Sequence, residues 1–173
     1  MATKKSVWVL CSIFVICAWV LGAAIQAGAE TLNFKAYGWV IKAESVPVGD
    51  VDEHLMSFTT RRSFCVFENG EVATQSCVIT SDRIKESGSS LRYSTMTFSD
   101  GSTIIIKEQV TRTGTAGVST TTASKGEIIK GTGRFKGIKG TVTAKGRALP
   151  VEKDEVGPKG IAEGTITYTL PSK

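Results

Sequence analysis

Residues 131–140 read GTGRFKGIKG. Four glycines and three cations share ten positions. Such a loop either cradles a phosphate or turns the corner of a sheet. A P-loop needs Gly-x-x-x-x-Gly-Lys-Ser/Thr between a strand and a helix. That spacing is missing, and Thr141-Val142-Thr143 behind the loop reads as a strand. A dinucleotide fingerprint needs Gly-x-Gly-x-x-Gly opening a helix. Gly131 and Gly133 fit it, but Lys136 stands at the third glycine position. The corner reading is the better one. Glycines permit bends and bulges, while Phe135 and Ile138 turn inward and the cations stay in water.

The neighbouring sequence agrees. In GTVTAKGRAL, Thr141, Thr143, Lys145 and Arg147 share one face, and Val142, Ala144, Gly146 and Ala148 the other. In IAEGTITYTL, Glu163, Thr165, Thr167 and Thr169 oppose Ala162, Gly164, Ile166, Tyr168 and Leu170. Strict alternation of this kind marks strands with one wet and one packed face. Further strands are expected over 34–42, 55–67, 72–80, 90–98, 103–111 and, briefly, 127–130. Asn69-Gly70 and Asp100-Gly101 mark two hairpins. Residues 81–89 read as a polar loop, and 113–122 as a Thr/Gly/Ser-rich connection. No segment holds a helical period. Seven or eight strands therefore make a sandwich or an antiparallel barrel. An outer-membrane barrel would need an apolar outward band, and these outward faces are rich in threonine and charge.

The chain has 173 residues and a formal charge of +5. Lys4 and Lys5, an apolar run over 7–21 and the small residues Ala27-Gly28-Ala29 have the layout of a signal peptide over residues 1–29. An uncleaved anchor helix is the alternative. Cleavage leaves residues 30–173 as one domain with no membrane span, exported to the periplasm or beyond. Its charge falls to +3 without Lys4 and Lys5, too low to suggest nucleic acid. Export places Cys65 and Cys77 in an oxidising compartment, where they are disulfide candidates. Geometry tempers this. A register with Phe67 across from Val72 puts Cys77 out of place and on the opposite face, so pairing needs a bulge.

Residues 129–135 (IKGTGRF), followed by Gly137, Gly140 and a Thr/Ala-rich strand, resemble the GGTGRF-type segment of allene oxide cyclase-like barrels and the related dirigent proteins. Residues 67–73 and 98–102 look like turns of bacterial exported members of that group. Residues 161–170 resemble its closing strand. The resemblance spans most of the chain from about residue 55 onward. It implies an eight-stranded antiparallel barrel around a cavity. Some barrels of this type are cyclases, and dirigent proteins steer radical coupling. None of the cyclases' catalytic residues matches a position here.

Candidate chemistry is sparse. His54 is the only histidine, which excludes a His-based triad or a multi-His metal centre. Asp52-Glu53-His54 are consecutive and cannot converge on a metal from a strand. Two thiols without a nearby histidine make no metal site either. Arg61 and Arg62 point to opposite faces, so one enters the interior. Arg92, Met96 and Phe98 share a face, with Tyr93 on the other. An inward arginine offers a planar fork to a carboxylate or enolate. Glu68, Glu71 and Asp100 sit in turns, where a half-buried carboxylate at a barrel mouth can act as a base. Tyr37, Trp39, Phe58, Phe64, Phe67, Tyr93, Phe98, Phe135 and Tyr168 can line a cup or fill a core. The ligand-cavity candidates are Tyr37, Trp39, Arg61, Arg92, Tyr93, Phe98 and Tyr168.

Between Ile128 and Val151 stand six cations (Lys130, Arg134, Lys136, Lys139, Lys145 and Arg147) and no acid. They form either a solvated face or a surface for anionic envelope material. Three functions follow. The chain holds or shields a small hydrophobic molecule in its cavity, needing no cofactor. It is a cofactor-free cyclase or isomerase. Or it is an envelope-associated structural protein using the basic face. A homo-oligomer stays open.

Overall fold

The computed structural model describes residues 28–115, 119–151 and 153–172. The expected signal peptide lies outside them apart from Gly28 and Ala29. Eight strands follow one another: β1 (Glu30–Pro47), β2 (His54–Phe67), β3 (Val72–Ile84), β4 (Ser87–Phe98), β5 (Thr103–Thr115), β6 (Ser119–Gly131), β7 (Lys139–Ala148) and β8 (Gly160–Thr169). Each pairs antiparallel with the next, and β8 returns to β1, closing a barrel. Closure leaves no free edge. The ladder is interrupted by bulges at Ile41 in β1 and at Ile129 in β6, opposite Ile105 and Ile106, which sharpen the local bend.

One end is plugged. Phe34, Phe67, Phe98, Phe135 and Tyr168 point inward there and are all buried. Their rings touch in series, at centroid distances of 5.8, 5.4, 4.8 and 6.3 Å. Each fully buried large apolar side chain stabilises the fold by about 1.5–3 kcal/mol. The loop GTGRFKGIKG builds the plug's floor. Gly133–Phe135 form one 3-10 turn, and Gly133 and Gly137 take φ of +59° and +80°, open to glycine at little cost. A Cβ at Gly131 would run into the Phe135 carbonyl. This close approach lets Phe135 and Ile138 drop into the core, 3% and 5% exposed. The corner reading holds.

Arg134 latches the same end. Its guanidinium stacks over Phe98 and Phe135 at 4.9 and 4.7 Å and reaches Glu71 at 2.6 Å. Its backbone N–H donates to Ser102 Oγ. Asp100 accepts from the Ser102 N–H and hydroxyl, and these contacts hold its carboxyl below the usual range. Glu68 accepts from Asn33. The turn carboxylates are thus committed to structure at the closed end, away from the mouth.

The Asn-Gly and Asp-Gly hairpins form as expected, with Gly70 and Gly101 at φ +84° and +79°. The register of the first is shifted by one: Val66 pairs with Val72, Cys65 with Ala73, and Cys77 with Arg61. Both cysteines therefore point inward, and both are buried and free. Four residues along the strand separate their rungs, about 13 Å, well beyond disulfide reach. The expected disulfide is corrected accordingly.

The expected polar loop 81–89 is also corrected. β3 runs on to Ile84, and Lys85-Glu86 alone turn the chain into β4, with Lys85 at φ +54°. β1 extends to Pro47, and β5 and β6 continue through most of 113–122. All these extensions lie at the end opposite the plug. There the interior is open to water, so inward residues such as Ser81, Arg83 and Thr122 are polar. With both faces wet, the alternation that reveals a strand in sequence is lost.

Candidate ligand-binding cavity

The open end encloses a cavity of about 760 Å³. Its walls carry hydroxyls (Ser57, Thr59, Ser90) and aliphatic patches (Val40, Ile79, Val110). Leu149, Val156 and Pro158, from the segment between β7 and β8, line one side of the mouth. A narrower space of about 100 Å³ continues toward the core, bordered by Cys77, Met96, Ile106 and Glu108. Arg61, Arg92 and Arg112 border both.

The floor is a buried ion pair. Strict alternation along β5 sends Ile104, Ile106, Glu108 and Val110 inward. Glu108 is 2% exposed. Arg92, on the neighbouring strand, donates from Nε to Oε2 at 2.8 Å and from Nη2 to Oε1 at 2.6 Å. Ser94 Oγ donates to Oε2 at 3.2 Å and Ser124 Oγ to Oε1 at 3.0 Å. This bidentate fork with two hydroxyl donors fully occupies the carboxylate. Burial is the largest influence on Arg92 and opposes its charge, yet Glu108 beside it holds the guanidinium above its ordinary value.

A second pair stands nearer the mouth. Arg112 Nη2 donates to Glu86 Oε2 at 2.6 Å, and Thr120 Oγ1 donates to the same oxygen at 3.2 Å. The Arg112 bond holds the Glu86 carboxyl below its usual range. At the rim, His54 bridges Asp50 and Asp82, at 2.5 and 2.8 Å. Those two bonds raise its pKa. Asp52 and Glu53 take no part in this bridge, and no cluster of three potential metal ligands occurs among the described residues.

Arg61 differs from Arg92 and Arg112. Its Nη2 donates to the Gly38 carbonyl at a long 3.4 Å. Its Nε is buried without a partner, alone in this among side-chain polar atoms of the described residues. Burial foremost lowers its pKa; a pull from Cys77 opposes this, and repulsion from Arg92 and Arg112 adds to it. Burial raises the pKa of Cys77, which pairs with Arg61 across β2 and β3, and pushes the Cys65 thiol, four residues along β2, up to about 12. Both thiols stay protonated at neutral pH and are poor nucleophiles.

The residues expected to line the cavity divide three ways. Arg61 and Arg92 face into it. Phe98 and Tyr168 point inward but belong to the plug, 4% and 6% exposed. The Tyr168 hydroxyl donates to Glu30 at 2.7 Å, and its pKa is pushed up to about 12 by burial first and that bond second. Tyr37, Trp39 and Tyr93 sit on the outer face, 50%, 36% and 42% exposed. Trp39 packs there against Phe64 at 5.7 Å. The aromatic-lined cup is thus corrected to one lined by hydroxyls, arginines and aliphatic side chains. Sequence reasoning missed Glu108, Glu86 and Arg112. A signal existed for Glu108, which occupies an inward position in the alternation Ile104-Ile106-Glu108-Val110.

No protein-family model matches the chain, nor does any curated protein. Solved structures similar to it include two pterocarpan synthase dirigent proteins. One is 18% identical, covering 84% of this chain and 97% of its own, with a TM-score of 0.50. The other is 17% identical, covering 83% and 92%, with a TM-score of 0.49. The fold is of the dirigent type. At this identity the likeness concerns architecture alone. It bears on the dirigent side of the expected resemblance and not on the cyclase side.

Proposed function

We propose that this chain binds and shields a small, largely apolar molecule in the cavity at the open end of its barrel, without a covalent step of its own. The observation that carries this reading is the state of the cavity's two acids. Glu108 is held by an arginine and two hydroxyl donors, and Glu86 by an arginine and one. Isomerisation with either acid as general base needs that carboxylate free to take a proton, and both are tied into ion pairs with arginines. The cavity volume falls within the range usual for small-molecule sites. Its aliphatic patches suit an apolar body, and its hydroxyls suit oxygens on that body. Likeness to barrels named as dirigent proteins supports the same reading at the level of fold.

The basic-face alternative has less support. Arg134 is engaged by Glu71 and stacked on two rings. Lys145 lies directly across from Glu163, which Lys35 also holds at 3.2 Å. The cation run is not one uncompensated patch.

The reading includes export after cleavage at Ala29. Native mass spectrometry of protein purified from its own host tests it. The expected species starts at Glu30 and carries one small molecule, or takes one up when methyl 1-naphthaleneacetate is added. Thr59→Trp, which fills the cavity, removes that uptake. A chain that takes up no apolar molecule under either condition contradicts the reading.

A further inference from the structure

We infer that the cavity's ligand carries a carboxylate, and that Arg61 is the residue that selects it. This inference rests on the binding role proposed above and names the chemical class of the ligand. Three guanidinium groups, those of Arg61, Arg92 and Arg112, border both the cavity and the narrower space below it. Glu108 neutralises Arg92 and Glu86 neutralises Arg112. No carboxylate is paired with Arg61 among the described contacts, and its Nε lacks any partner. A half-buried cation whose Nε is shut off from water is costly unless something completes it. The site is built around that group. Gly38 and Gly160 pair across β1 and β8 beside it. A Cβ at Gly160 would lie 2.9 Å from Arg61 Nη2. Side-chain-free backbone on this flank leaves space where the guanidinium lies.

The planar guanidinium fits a carboxylate better than a point anion, because its neighbouring N–H groups are spaced to meet two oxygens. Val40 lies directly across from Arg61 on β1. With Ile79 and Val110 it gives an apolar body a path from the arginine to the mouth. The ligand class is therefore a monocarboxylate on a compact apolar frame, with its acid group inward. The arginine binds and orients; no bond is made or broken.

The test compares 1-naphthaleneacetate with its methyl ester, which share one frame and differ in charge. Titration calorimetry on the mature protein at neutral pH gives both affinities. The acid binds tighter by about tenfold or more, the worth of a charge-assisted fork. Arg61→Met erases this preference and leaves ester affinity within about twofold. Arg61→Lys, which keeps the charge without the fork, retains part of it. In the unaltered protein, the ¹⁵N resonance of Arg61 Nε shifts on adding the acid and not on adding the ester, which needs no variant to fold. Equal affinity of acid and ester in the unaltered protein overturns the carboxylate assignment and leaves the cavity reading standing. A preference that survives Arg61→Met overturns the role of Arg61. Binding of neither compound overturns both readings.

Discussion

Arg61, Arg92 and Arg112 meet in the barrel, and their different surroundings give them different roles. Arg92 and Arg112 are structural, since each completes an acid. Breaking one partner of a buried pair strands the other. Glu108→Gln should therefore destabilise the fold by about 3–5 kcal/mol, read from urea unfolding. Arg92→Met combined with Glu108→Leu should recover most of that loss. A single variant no weaker than the double one would contradict the pair's role. Arg61 should behave in the opposite way. Removing an incompletely satisfied buried group, as in Arg61→Met, should stabilise the empty protein by roughly 1 kcal/mol, a few degrees in Tm. A fall in Tm would show that Arg61 holds the fold together. The sequence showed that one of Arg61 and Arg62 enters the interior and that Arg92 shares a face with Met96. It did not show which arginines have partners, because Glu108 and Glu86 reach them only through strand pairing.

At the scale of the element, the ends of the strands separate by what surrounds them. Near the plug, one face is dry and the alternation is clean, as in β7 and β8. There the corner at residues 131–140 and both Gly-containing hairpins were legible. Phe135 anchors that corner, and Phe135→Ala should cost about 3–5 kcal/mol, measured by chemical denaturation. Near the mouth both faces meet water. Ser81 to Ile84 look like a loop for that reason and are strand, and β1 runs past the expected end at Lys42 to Pro47. The mouth also carries the His54 bridge between β2, β3 and the loop at Asp50. Its folded pKa is raised above 6.5. The bridge's contribution is thus fully present below 6.5 and is lost as pH rises through the folded value. Thermal melts of the protein and of His54→Gln should differ most in mildly acid solution and converge on the alkaline side. A gap that widens with pH would contradict the bridge.

At the scale of the molecule, the closed barrel divides its interior into a packed end and a hollow one. The aromatic supply fills the plug, with Tyr37, Trp39 and Tyr93 left outside, so the cavity is lined by shorter and more polar side chains. Counting aromatics in the sequence could not reveal this, because alternation assigns a face but not a height along the barrel. Bulges and register set the height, and one rung of error moved Cys77 from the outer face to the inner. The central claim is that the hollow end is a binding site. Amide chemical-shift mapping in solution, with methyl 1-naphthaleneacetate as probe, tests it most directly. Shifts concentrated at Thr59, Ile79, Val110 and their neighbours around the mouth are the predicted result. No shifts at saturating probe, or shifts confined to the outer face around Tyr37 and Trp39, would contradict it.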